Sequence, residues 1–143
     1  MPLLLDVNVW LPLVWEGHLG VESAHRWAET QTDELVFCRA TQLALLRHLT
    51  NPAILGDDVL TNTGAKQLLE AILVRDEVTF RGEPPGLDLF FPRLGEASFP
   101  IRNRWTDAYL AAFAIAANFE FVTYDRDFAN FEPDGLRWTL LEV

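Results

Sequence analysis

Short runs of consecutive apolar residues alternate along this chain with longer stretches whose apolar positions return every three or four residues. Leu3-Leu4-Leu5 and Leu35-Val36-Phe37 are runs of the first kind, and they predict strands buried on both faces of a parallel sheet. Val78-Thr79-Phe80 and the segments 119–123 and 138–141 predict three more strands. Between them the helical spacing predicts helices over 7–15, over 21–32 through Val21, Ala24, Trp27 and Ala28, and over 40–49, where Asn51-Pro52 ends the run. Asp57 or Asp58 is expected to cap a further helix that presents Leu68, Leu69, Ile72 and Leu73 on one side, with Gly64 weakening its middle.

The stretch 82–104 is rich in Pro and Gly, and its apolar island, 87–91, predicts one or two helical turns. Thr106-Asp107 then opens an apolar helix to Ala117, and 125–128 reads as a turn or short helix after the fourth strand. Strands alternating with helices from end to end predict a three-layer α/β fold, a mainly parallel central sheet flanked by helices. No repeat, low-complexity tract or linker divides the chain, so residues 1–143 are expected to form one domain.

Composition supports a globular reading. With 143 residues, half of them apolar, the chain can bury a core without disulfide or structural-metal support. The single cysteine, Cys38, has no partner, and the start has neither a basic leader nor a long apolar run, so a reducing cytoplasm is the expected compartment and no membrane span is expected. Eleven basic against 21 acidic residues give a net charge of −10, which argues against broad electrostatic adhesion to nucleic acid. Local binding to phosphate survives that objection where a bound cation supplies the positive charge.

The acids are placed suggestively. Asp6 ends the first strand, Asp125 follows the fourth within two residues, and Asp107 begins the helix leading into that fourth strand. In open parallel sheets, ligands sit beyond the carboxyl ends of the strands near a topological switch point. Each aspartate alone has an ordinary structural role: turn cap, helix N-terminus or Asx turn. Together they form a set of hard oxygen donors that repel one another unless they share protons or a cation, and with no Cys or His cluster beside them they suit Mg²⁺ or Mn²⁺ better than Zn²⁺. Asp127 and Asp134 read as turn residues, and His18, His25 and His48 lack metal-ligand spacing. Arg102 and Arg104, just ahead of Asp107, are placed to contact RNA phosphates or to lie solvated in a loop.

Leu4-Leu5-Asp6-Val7-Asn8-Val9 resembles the opening motif of PIN domains, and Thr106-Asp107-Ala108-Tyr109-Leu110 and the segment from Val122 through Asp125 to Phe128 resemble their later acidic motifs. Thr41-Gln42-Leu43 to Arg47, with Thr50-Asn51-Pro52-Ala53, is similar to the second motif of VapC-type toxins of toxin–antitoxin modules. The resemblance implies a PIN-like fold and a Mg²⁺- or Mn²⁺-dependent endoribonuclease, the toxin of its module, held by a cognate antitoxin and dimeric with a second copy. By motif it implies Asp6, Asp107 and Asp125 as metal-binding catalytic residues, Asn8, Thr106 and Thr123 as their hydrogen-bonding support, and Gln42 where the family usually has Glu. A neutral amide contributes neither charge nor basicity, so Gln42→Glu is expected to raise metal affinity and cleavage, by the 10²- to 10⁴-fold worth of a general base.

Two alternatives stand beside this reading. One is a PIN domain that has lost catalysis and serves as a protein- or RNA-binding module. The other is a haloacid dehalogenase-type phosphohydrolase, whose Asp-x-Asp motif also follows strand one, and against which Asn8 in the second position argues. Finally, Trp10, Trp15, Trp27 and the 87–91 island carry more apolar surface than one small core absorbs, so part of it is expected to form an interface with a second copy or an antitoxin segment.

Overall fold

The computed structural model describes residues 1–143. Five parallel strands, β1 (Leu3–Leu5), β2 (Leu35–Phe37), β3 (Val78–Phe80), β4 (Glu120–Thr123) and β5 (Trp138–Leu140), form one sheet in the order β3-β2-β1-β4-β5. Every pairing is parallel. The central strands are buried on both faces because each side carries a helical layer.

Side-chain alternation assigns the two cores. Leu3, Leu5, Phe37 and Val122 face helices α1 (Val7–Val14), α2 (Val21–Glu29), α3 (Arg39–Leu49) and α5 (Asn62–Leu73). Leu4, Val36 and Phe121 face α6 (Leu87–Leu94) and α7 (Arg104–Ala117). On the first face Trp10 stacks on Phe37 with ring centroids 3.7 Å apart and planes within 6°. Trp10 is thus core, not interface, while Leu89 of the 87–91 island is exposed as expected, and Phe99 and Trp105 add to the exposed apolar surface. No helix is long and apolar enough to cross a membrane.

Three local expectations are corrected. Asn51-Pro52 ends α3 but also starts a short helix, α4 (Pro52–Leu55): the Asn51 side chain accepts from the Ala53 N–H, and Pro52, needing no donor, fits its first turn. Asp57 and Asp58 do not cap α5. They lie in a 3₁₀ turn, Gly56–Asp58, where Asp58 accepts from the Trp15 indole, and Thr61 caps the helix through Gly64 N–H. Gly64 therefore sits in the first turn of α5, where its low helix propensity costs least. The turn after β4 is longer than read, a 3₁₀ segment from Arg126 to Asp134 that buries Phe128 and Phe131.

The order of the strands creates the crevice. From β1 the chain moves outward to β2 and β3, then returns across the sheet to lay β4 on the other side of β1. The switch point lies between the carboxyl ends of β1 and β4, and α7, running back toward the start of β4, begins at that same edge.

Candidate active site at the carboxyl edge of the sheet

Register builds the centre of the site. Leu5 pairs with Val122, so the next residue on each strand, Asp6 and Thr123, come side by side. Asp6 caps α1, its carboxylate accepting from the Val7 N–H at 2.8 Å and from the Thr123 hydroxyl at 2.7 Å. The same hydroxyl oxygen accepts from Asn8 Nδ2 at 3.3 Å and from the Asp125 N–H at 3.0 Å. Asn8 Oδ1 in turn accepts from the Tyr124 N–H at 3.2 Å. Thr123 is fully buried, so this one hydroxyl ties the loop after β1 to the loop after β4.

The three aspartates sense one another. The Asp6 carboxyl, 8 % exposed, is pushed up to about 6 by burial and, to a lesser degree, by the Asp125 charge, while its bonds to Thr123 and Val7 pull the other way. Asp107, half-buried in the first turn of α7, is also pushed up to about 6, by burial and then by the charges of Asp125, Asp6 and Asp127, with Arg104 partly offsetting them. The edge therefore concentrates negative charge with one nearby guanidinium against it. No three acidic, thiol or imidazole groups are close enough to form a finished metal cage.

The remaining predicted residues divide. Asn8 and Thr123 join the network, but Thr106 is exposed and makes no hydrogen bond to the acids. Gln42 is buried in the first turn of α3, beyond the carboxyl end of β2, and its Oε1 accepts from Arg39 Nη1 at 2.7 Å. Its recorded partner is thus a cation rather than one of the aspartates. Arg104 lies with its guanidinium 5.3 Å from the Phe131 ring centroid, and Arg102 is exposed in the loop before α7.

Asp127, read as a turn residue, lies exposed in the turn that Asp125 caps. It donates its backbone N–H to Asp125 Oδ1 at 2.9 Å and lies close enough to raise the Asp107 carboxyl. Asp134, by contrast, faces Arg93 at 3.8 Å and stays a surface residue.

Among known families, the PIN domain matches residues 3–132. Ribonuclease VapC41 of Mycobacterium tuberculosis, in strains CDC 1551 / Oshkosh and ATCC 25618 / H37Rv, is 40 % identical over 141 residues, covering 94 % of this chain and 97 % of the relative. Among solved structures, VapBC2 from Rickettsia felis, bound to a DNA fragment from its promoter, aligns with a TM-score of 0.68 at 14 % identity over 99 % of this chain and all of the other. The sarcin-ricin loop cleaving toxin VapC20 of M. tuberculosis aligns at 0.66 and 15 % identity over 94 % and 95 %. VapBC-1 from nontypeable Haemophilus influenzae aligns at 0.68 and 19 % identity over 98 % of both. At these identities the structural matches speak to the fold.

Proposed function

The chain belongs to the PIN-domain family, and on that premise we propose that it is a metal-dependent endoribonuclease of the VapC type, the toxin of a toxin–antitoxin pair. The observation that carries this is the group of mutually repelling carboxylates at the switch point, braced through Thr123 and short of balancing charge. The 40 % identity to a ribonuclease over nearly the whole chain supports it. With Asp6, Asp107 and Asp125 all retained, the reading as a PIN domain surviving only as a binding module draws no support.

The donor set fits a hard divalent cation. Its groups are carboxylates, two of them pushed up by burial and like charge, a state that a cation relieves. Mg²⁺ keeps several of its waters, so carboxylates that do not close a cage around it suit it. Asp6, Asp107 and Asp125 would hold it, and when bound it would supply charge at the scissile phosphate and a more acidic water. The chain's own contribution is orientation: Thr123 holds Asp6 and the Asp125 backbone, and Asn8 holds the start of the loop after β4. Arg104, next to Asp107, is placed to meet a phosphate oxygen.

The direct test is cleavage of a mixed pool of structured RNAs with Mg²⁺ and with Mn²⁺, using Asp6→Asn as the blank. Metal-dependent cleavage by the unmutated chain, absent in the blank, is expected. Cleavage that persists in EDTA would overturn the metal, and cleavage of no RNA would overturn the nuclease. Binding to the native state alone also stabilises it, by about 2.7 kcal/mol at a hundredfold excess over Kd. Mg²⁺ or Mn²⁺ should raise the thermal midpoint of the unmutated chain and leave Asp6→Asn unmoved. Identical midpoints with and without metal in the unmutated chain would count against the site.

The Arg39 contact trims the effect expected at position 42. A Glu there meets the guanidinium that Gln42 already holds, so most of its added charge pairs with Arg39 instead of strengthening the acidic centre. Gln42→Glu should therefore raise kcat/KM less than about tenfold, below the 10²- to 10⁴-fold span of a general base. The double variant Arg39→Gln/Gln42→Glu should exceed it in metal affinity. A hundredfold gain in the single variant would show that residue 42 acts on the reaction directly.

The same reading carries the partners and the compartment. A cognate antitoxin and a second copy of the chain would cover apolar surface such as Leu89, Leu43 and Val74, which stand 77 %, 53 % and 80 % exposed. The one cysteine, buried and unpaired, suits the reducing cytoplasm.

A further inference from the structure

The loop before α7 and the first turn of that helix line a cleft of about 620 Å³, joined to the acidic edge through Arg104, whose charge acts on Asp107. Phe99 and Trp105 line it, 66 % and 54 % exposed, and Arg102 and Arg104 line it with them. In a chain of net charge −10 this is a local reversal: neither arginine is taken up by an ion pair, and Glu96 is the cleft's only acid.

The indole is seated, not loose. Trp105 packs edge-to-face on Phe91, centroids 5.6 Å apart, and lies so close over Gly95 that a methyl group at position 95 would overlap its ring. Glycine there leaves room for the aromatic plane. An exposed aromatic held in one orientation costs little entropy to use. Such rings beside guanidinium groups are the means by which proteins hold single-stranded nucleic acid: bases stack on π faces while arginines follow the phosphates.

Resting on the ribonuclease reading, we propose that this cleft receives the single-stranded RNA flanking the scissile bond, a base stacking on Trp105 with Phe99 beside it, and Arg102 and Arg104 contacting the adjoining phosphates. Arg104 stands three residues before Asp107, on the same side of α7, and its charge acts on that carboxyl, so a strand held on Trp105 and Arg104 leads toward the acidic edge. The chain then prefers targets whose bases are unpaired and unstacked at that position, because a base inside a duplex has both faces covered by its stacked neighbours.

Multiple-turnover cleavage of a single-stranded oligoribonucleotide, with kcat and KM separated, tests this. Trp105→Ala should lower kcat/KM roughly 10- to 100-fold, mainly through KM, with its metal-induced thermal shift intact. Trp105→Phe, which keeps a π face, should retain most of the activity, and Trp105→Leu, apolar without one, should not. Arg102→Ala, at an exposed position that does not endanger folding, should weaken binding and flatten the salt dependence by about one in the slope of log K against log[salt]. Cleavage by the unmutated chain with equal kcat/KM in Trp105→Ala and Trp105→Leu would overturn the cleft's role alone. Absence of cleavage by the unmutated chain would overturn the ribonuclease reading, and this inference with it. Should Trp105→Ala lose an antitoxin peptide while cleaving RNA normally, the cleft belongs to a protein partner and the proposal fails.

Discussion

Asn in place of Asp6 is expected to yield a protein that cleaves no RNA yet, free of metal, unfolds at a higher temperature than the unmutated chain. The Asp6 carboxyl is buried and pushed up to about 6 from an ordinary 3.8, so keeping it ionised at neutral pH costs about 2–3 kcal/mol. Asn retains an oxygen that can accept from the Val7 N–H or from the Thr123 hydroxyl, without the charge. For a chain of this size the gain corresponds to several degrees in midpoint, at about 2–4 °C per kcal/mol.

The sign against pH follows from linkage. The folded chain binds this proton more tightly than the unfolded one, so the carboxyl costs nothing below about pH 4. Its cost grows as pH rises through 4 to 6 and stays at its full value above that. The midpoints of the two proteins should therefore coincide near pH 4 and separate as pH rises to 7. Midpoints that separate in the opposite direction, or Asp6→Asn that still cleaves, would remove Asp6 from the centre of the site. The stability sacrificed at Asp6 is the cost of holding a carboxylate ready for a cation.

Thr123→Val carries the second large effect. Valine has the shape of threonine but lacks the hydroxyl, so one substitution leaves Asp6 without its strongest side-chain donor and the Asp125 N–H without an acceptor. Leaving a buried donor unsatisfied costs about 1–3 kcal/mol of stability. Loss of a group that orients metal-binding carboxylates costs about 10- to 100-fold in metal affinity or activity. The Asp6 carboxyl, deprived of the bond that holds it down, moves further up, so the acid limb of the pH–rate profile should shift to higher pH. That shift separates a positioning role from packing alone. Thr123→Ser should restore both activity and profile. A Val variant with an unchanged profile would reduce Thr123 to a core residue.

The strands could be read almost to the residue because a segment buried on both faces has to be apolar throughout. Leu3-Leu4-Leu5 and Leu35-Val36-Phe37 coincide with the observed bounds, and so does the partly exposed edge strand Val78-Thr79-Phe80, whose β-branched and aromatic residues favour extended structure. Asp6, Asp107 and Asp125 were legible for the converse reason: a carboxylate directly after an apolar strand, or at the head of an apolar helix, falls at a sheet edge. Choices among near-equivalent local solutions were not legible. Thr61 and Asp58 both suit a cap, and what decides between them is the Trp15 indole, distant in sequence, that engages Asp58. The Arg39–Gln42 bond, the seating of Trp105 over Gly95 and the stacking of Trp10 on Phe37 depend on packing across elements, which no local spacing reports. Thr106 was assigned beside Asp107 from motif alone, and the helix turns it outward to solvent.

The pairing of β1 with β4 also sets the moment at which the acidic edge of this molecule is completed. Thr123 and Asp6 stand 117 residues apart, so the first strand emerges from the ribosome long before its second neighbour exists. Until β4 is made, β1 keeps an open edge, and a chain halted before that point holds Asp6 with neither Thr123 nor Asp125 beside it. A growing or truncated chain therefore lacks a complete acidic edge, which is assembled only when about the last sixth of the sequence, from β4 onward, has been made.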